Sequence, residues 1–284
     1  MKLKNLFLIL FTLLLVAACS SDDDNPIVLP GDNDGENPDI TTDYLPSEEG
    51  NSWTYENEVL FEMNDMQNSD SGMEILTLTE NNNETLYFHS EVQEGARGLL
   101  TAALSNGNLK KQNGQFLYTG NLDLLDFEGF PEIEIPLENI PLFDIDAEVG
   151  EELHSSQGAF SQSIPVGELG TFPIEVSYTL SVTQADNYDS IFGFEDVKSA
   201  EIKISNVSIL LQNIPVIGQL QLMQTTENEV MVSTYYLANN TGIIKSETNI
   251  DLPLIDLNEV MPIPLDGIPE FGNIHAFIEQ TLID

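Results

Sequence analysis

Cationic side chains are the scarcest chemistry in this chain: eight Lys and Arg stand against 48 Asp and Glu, a formal charge of −40. A surface so acidic repels nucleic acid and anionic lipid headgroups, so neither is an expected partner. Cysteine is rarer still, with Cys19 alone, which excludes a disulfide within the chain. The three histidines, His89, His154 and His275, lie far apart, so the pair spaced three or four residues that grips a metal is missing. His154-Ser155-Ser156 sets hydroxyls beside an imidazole, but no nucleophile elbow surrounds it, and no glycine-rich phosphate loop occurs elsewhere. Carboxylates are so numerous that some pair must fall at glycosidase separation, yet Glu132 with Glu134 and Glu151 with Glu152 read as solvated faces. The expectation is a protein without catalytic activity, metal or cofactor.

Long apolar runs are also lacking, apart from residues 6–16, about half of the roughly 20 residues a helical membrane span needs. That run follows Lys2 and Lys4 and ends at Val16-Ala17-Ala18-Cys19. Charge, short apolar stretch and small residues in this order resemble the signal peptide and lipobox of bacterial lipoproteins. The resemblance implies cleavage after residue 18 and lipidation of Cys19, palmitate included; a transmembrane anchor is the alternative reading. Ser20, Ser21, Asp22, Asp23 and Asp24 come next and resemble the export signal of surface lipoproteins in Bacteroidota. They imply an outer-membrane, lipid-anchored protein exposed on the cell surface, with the periplasmic leaflet as the alternative.

Residues 19–43 read as an acidic flexible tether carrying Pro26, Pro30, Gly31, Gly35 and Pro38, with little to bury. Asp32-Asn33-Asp34-Gly35 invites comparison with a calcium loop, but its glycine is fourth rather than sixth. Loss of Lys2 and Lys4 with the leader leaves six basic residues against 48 acids, a formal charge of about −42.

Residues 44–284 read as one β-rich domain, since 41% of the chain is apolar and the apolar residues alternate. The run 176–183 alternates apolar and hydroxylic residues without a fault, as a half-buried antiparallel strand does. Trp53, Tyr55, Val59, Phe61 and Met63 share that period, with Trp53 as a core anchor rather than a sugar platform. Further strands are expected at 73–80, 84–91, 98–104, 115–119, 159–164, 229–237 and 242–249, the last two joined by a hairpin at Ala238-Asn239-Asn240-Thr241. Ile202 and Ile204 change parity with Val207 and Ile209, which places a bulge at Ser205-Asn206. Ile274, Phe277, Ile278 and Leu282 fit one helical face behind Asn273. The expected fold is mainly β, a strongly curved antiparallel sheet or open half barrel with one short C-terminal α-helix.

Gly50-Asn51-Ser52-Trp53-Thr54-Tyr55, preceded by Tyr44-Leu45-Pro46, resembles the opening of a family of Bacteroidota (Flavobacteria-like) lipoproteins that has no assigned activity. Tyr235-Tyr236-Leu237-Ala238 with Gly242-Ile243-Ile244-Lys245 resembles their closing hairpin. The likeness implies a membrane address and a β fold.

An internal echo completes the reading. Ile135-Pro136-Leu137 through Ile140-Pro141 to Phe143 returns as Ile263-Pro264-Leu265 through Ile268-Pro269 to Phe271. Ile164-Pro165-Val166 and Ile214-Pro215-Val216 form a weaker pair. Proline at this density points to edge strands or extended connections. The segments are either straps over sheet edges or lips of an apolar cavity. In the second case Ile135, Leu137, Ile140, Phe143, Ile263, Leu265, Ile268 and Phe271 contact an apolar or amphipathic ligand. Three functions follow as expectations: a binding lipoprotein for such a ligand, a surface accessory protein contacting protein or glycan, and, last, a carboxylate hydrolase.

Overall fold

In the computed structural model the described residues are 42–63, 66–123, 133–165, 170–214, 218–226, 228–254 and 273–284. The leader, Cys19, Ser20, Ser21, Asp22, Asp23, Asp24 and the second Ile-Pro copy, with Ile263, Leu265, Ile268 and Phe271, lie outside them.

Among the described residues, thirteen strands and one helix follow in order: β1 (Ser52–Met63), β2 (Met66–Asn82), β3 (Thr85–Gly95), α1 (Leu99–Ser105), β4 (Gly107–Gln112), β5 (Gln115–Asp123), β6 (Glu134–Asp144), β7 (Glu152–Pro165), β8 (Thr171–Ile191), β9 (Phe194–Ile214), β10 (Gly218–Gln224), β11 (Glu229–Ala238), β12 (Gly242–Pro253) and β13 (Asn273–Leu282). Twelve of them form one antiparallel sheet in the order β6-β5-β4-β3-β2-β1-β13-β12-β11-β9-β8-β7, with β10 attached to β9. The sheet curls until β6 and β7 stand side by side, so the barrel is nearly closed. All of this lies in one compact unit, Thr42–Asp284.

The period of two that marks the strands also sets the inside. On β8, Phe172, Ile174, Val176, Tyr178, Leu180 and Val182 are all buried, with the hydroxylic residues between them turned outward. On β9 the expected bulge is present. Asn206 takes a φ of +51°, the register slips between Ser177 and Thr179, and Ile204 and Val207 both face in. The β11–β12 hairpin also forms where expected, with Asn240 and Gly242 at positive φ. Trp53 and Tyr55 are buried and tie β1 to that hairpin: the indole N–H donates to Thr241 O at 2.7 Å and the Tyr55 hydroxyl to Ile243 O at 2.7 Å. A Cβ at Gly242 would stand 3.1 Å from the Trp53 indole nitrogen. The two passages that resemble the lipoprotein family therefore meet in space.

Two expectations are corrected. The C-terminal segment is not a helix but β13, bound on both sides by β1 and β12. Ile274, Ala276, Ile278 and Gln280 alternate into the interior, and this period of two competes with the helical spacing of Ile274, Phe277 and Ile278. Eighteen pairs of ladder positions on two flanks outweigh one short amphipathic turn, which is marginal alone. Conversely, residues 98–104 do not form a strand: α1 runs Leu99–Ser105. Leucine and alanine are strong helix formers. Within the barrel, moreover, Leu100, Thr101, Ala102 and Leu104 are all buried, so alternation carried no sidedness there.

Candidate functional site

Four parts of the barrel bring side chains together. One mouth is crossed by a strap, residues 42–49, that runs into β1. Tyr44 and Leu45 are buried there, with the Tyr44 ring 5.5 Å from Phe143. The Tyr44 hydroxyl donates to Asp196 Oδ1 at 2.7 Å, and Lys111 Nζ donates to Asp43 Oδ1 and Leu45 O, each at 2.8 Å. Lys198 lies 5.7 Å from the Tyr44 ring and donates to Ile145 O. Burial, with Asp196 adding to it, raises the Tyr44 phenol well above its usual range.

The second part is a buried polar network that holds α1 inside the barrel. Glu74 is fully buried on β2, and its Oε2 accepts from the Gly98 amide at 3.1 Å, the Asn57 amide at 3.3 Å and the Thr101 hydroxyl. Arg97 Nε approaches its Oε1 at 3.5 Å. Gln280 accepts from the Leu100 amide at 2.7 Å and donates to Asn57 Oδ1 at 2.9 Å. The first amides of a helix lack intrahelical partners, and here barrel side chains supply them. Gly98 permits this approach, because a Cβ there would fall 1.8 Å from Gln280 Nε2.

The third part is an apolar cavity of about 40 Å³. Leu100 and Leu104 of α1, Leu137 and Phe143 of β6, and Tyr235 and Leu237 of β11 are among its walls. Of the sequence candidates, β6 carries Ile135, Leu137, Ile140 and Phe143, all buried; Leu137 and Phe143 line the cavity, while Ile135 and Ile140 do not. The first Ile-Pro copy is thus an edge strand, as its prolines required. Two extra residues bulge from it opposite Phe116–Gly120, one at Asn139 with φ +52°. Ile164 and Ile214 of the weaker pair close β7 and β9, both buried.

The fourth part lies on the outer face of β1, β13, β12 and β11, where cross-strand register sets three lanes. Leu60, Phe277, Asn249 and Val232 stand opposite one another in an apolar lane. Glu58, Glu279 and Glu247 form the lane on one side, and Glu62, His275 and Asp251 the lane on the other. Leu60 is 44% exposed, large for a leucine on a folded strand. A groove of about 400 Å³ follows the middle lane and the Glu62 side, with Glu229 at its end. Lys245 bridges Glu247 at 2.9 Å and Glu279 at 3.0 Å, Lys203 bridges Glu201 and Glu229, and His275 Nδ1 is 3.3 Å from Asp251. Burial lowers the Lys245 pKa, but bonds to Glu247 and Glu279 outweigh it and hold the ammonium above its ordinary value.

Of the histidine candidates, His275 meets a carboxylate, Asp251, on the outer face, and Glu132 lies outside the described residues. His154 Nε2 is 2.8 Å from Ser156 Oγ on the same strand, and no carboxylate orients the imidazole among the described residues. Among those residues, too, no three His, Cys, Asp or Glu gather as metal ligands. Sequence reasoning missed the outer lanes, although a signal existed. Val59-Leu60-Phe61, Val230-Met231-Val232 and Phe277-Ile278 are consecutive apolar residues in strands, and one of each set must face outward. Comparisons with protein-family models, curated proteins and solved structures find no match for this chain.

Proposed function

We propose that this protein is a lipid-anchored surface protein of the outer membrane that acts by contact, docking a cationic and apolar segment of a partner protein on its outer lanes. The observation that carries the reading is the apolar lane of Leu60, Phe277 and Val232 between two rows of carboxylates. Adjacent strands are about 4.8 Å apart and same-face residues about 6.8 Å, so the lanes form a patch roughly 14 Å square. Exposed apolar groups in such a patch gain by being covered, and the flanking acids select which partner covers them. In a chain of formal charge −40 a second copy is repelled, whereas a segment presenting Lys or Arg on both sides of Leu or Phe is complementary. Cys19, Ser20, Ser21, Asp22, Asp23 and Asp24 supply the anchor and the surface address in this reading. The cavity supports an interior lipid less well: about 40 Å³ is far below the roughly 300–1,000 Å³ of a small-molecule pocket.

The test uses the mature chain with Cys19→Ser and two extended peptides of equal charge, one alternating Lys and Leu, the other Lys and Gly. The Lys–Leu peptide binds at least tenfold more tightly by titration calorimetry. Leu60→Asp erases that difference, while Val92→Asp, an exposed site on β3, keeps it. Equal binding of both peptides, or a difference that survives Leu60→Asp, refutes the docking lane. The address is tested separately: Cys19→Ala abolishes palmitate incorporation, and protease added to intact cells removes the wild-type domain. A wild-type domain that resists protease until the outer membrane is opened belongs to the periplasmic leaflet.

A further inference from the structure

β6 and β7 are the two ends of the sheet, and they face each other without a backbone ladder among the described residues. Pro136 and Pro141 deprive β6 of two amide donors, and its two bulges break the even spacing a partner strand would need. Two of the contacts that span the seam are long. The Glu134 amide donates to Gln162 Oε1 at 3.4 Å, and the Tyr178 hydroxyl of β8 donates to Pro136 O at 3.4 Å. Elsewhere around the barrel each neighbouring pair is held by a backbone ladder. The seam is therefore the line along which the wall parts at least cost.

The two sides of that line differ in chemistry. Behind β6 lies the apolar cavity, walled by Leu137 and Phe143. The inner face of β7 carries His154, Ser156 and Gln162 with Phe160, all only half-buried. Phe160 packs edge-on to Tyr178 at 6.3 Å. A chain passing inward along this face meets polar groups first and aliphatic walls after.

We infer that the β6–β7 seam is the entrance to an interior binding site for the aliphatic chain of an amphipathic molecule. The chain packs against Leu137, Phe143 and Leu104, and the polar head stays at His154 and Ser156. At about 40 Å³ the cavity is far smaller than a ligand pocket, so binding requires the strands to part. This site is distinct from the outer lanes, and neither depends on the other.

The absence of cysteine beyond Cys19 makes the test direct. In the mature chain with Cys19→Ser, Glu134→Cys and Gln162→Cys are joined by a short bifunctional reagent that thiols later release. The probe is a dodecyl chain bearing a neutral nitrobenzoxadiazole fluorophore. The open protein binds it with saturable enhancement of fluorescence, the joined protein binds at least tenfold more weakly, and release restores binding. Leu137→Trp, which fills the cavity, also weakens binding at least tenfold while the far-ultraviolet dichroism is unchanged. Equal binding by open and joined protein overturns the seam as entrance, and no saturable binding by the open protein overturns the site. Leu60→Asp leaves probe binding unchanged, and joining the seam leaves Lys–Leu peptide binding unchanged, so failure of one site is distinguishable from failure of the other.

Discussion

The strap at the first mouth makes the most exacting stability prediction, because its largest buried side chain is a single aromatic ring, Tyr44. Tyr44 is 2% exposed, packs on Phe143 and bonds Asp196. Tyr44→Ala removes a buried ring and leaves a void the mouth cannot fill, a loss of about 3–5 kcal/mol. At 1.4 kcal/mol per factor of ten, the folded-to-unfolded ratio falls by between two and four powers of ten. Tyr44→Phe removes only the bond from the hydroxyl to Asp196. Asp196 is exposed, so water replaces the lost partner and the cost is about 1 kcal/mol. Trp53, the sole tryptophan, is buried at the same mouth and reports urea unfolding by its fluorescence. The midpoint shifts in the order Tyr44→Ala well beyond Tyr44→Phe, with fluorescence and far-ultraviolet dichroism moving together. A loss below about 1 kcal/mol for Tyr44→Ala, or a strap transition separate from the sheet, refutes the reasoning that the strap belongs to the cooperative core.

Three further outcomes follow from the same structure. Seven of the eight tyrosines have phenols raised above the ordinary 10.0, burial being the largest cause in each. A raised pKa means the folded state keeps protons that the unfolded state releases. The stability these phenols confer is therefore whole below pH 10 and lost as pH rises above it. Tyrosinate absorbance at 295 nm rises together with loss of dichroism, and ionisation of most phenols in a still-folded protein contradicts this. Glu74→Ala strands the Gly98 amide, the Thr101 hydroxyl and Arg97 and costs about 3–5 kcal/mol. Glu74→Gln keeps an acceptor and costs less than half as much in urea titrations. Raising sodium chloride from 0.05 to 0.5 M raises the melting temperature, because screening weakens repulsion among the surplus acids. Calcium that adds nothing at constant ionic strength removes carboxylate-bound calcium from consideration.

The barrel was legible where one face of a strand is wet. On β8 and β9, polar residues alternate with apolar ones, so both the strands and the bulge at Asn206 followed from parity. Legibility failed where both faces are occupied. Residues 99–105 are enclosed by the barrel, and their burial fits either period. In β13, Phe277 faces outward yet is apolar, which imitated a helical stripe. The same outward apolar residues make the docking lanes, so the error and the missed site share one cause. Glu74, Asn57 and Gln280 went unnoticed for the complementary reason. A carboxylate and two amides at inward parity look like solvated positions until the helix amides they serve are folded against them.

Where the few cations go decides what the acidic face can recruit. Of the six basic residues beyond the leader, Lys111 fastens the strap, Lys198 stands beside the strap's Tyr44 ring while it donates to Ile145 O, and Arg97 fastens the segment entering α1. Neither the strap nor that segment belongs to a sheet ladder, and side-chain bonds help tie both to the barrel. Lys245 joins Glu247 and Glu279, which stand opposite each other on neighbouring strands, and Lys203 ties Glu229 of β11 to Glu201 of its own strand β9. On the outer lanes that leaves one lysine for Glu58, Glu279 and Glu247, and only His275 between Glu62 and Asp251. Like charges directly opposite across strands are destabilising, and the surplus borders an apolar lane in which Leu60 is exposed. A segment that brings its own Lys or Arg relieves that repulsion while it covers Leu60 and Phe277. The chain's shortage of cations thus becomes the reason its partner must carry them.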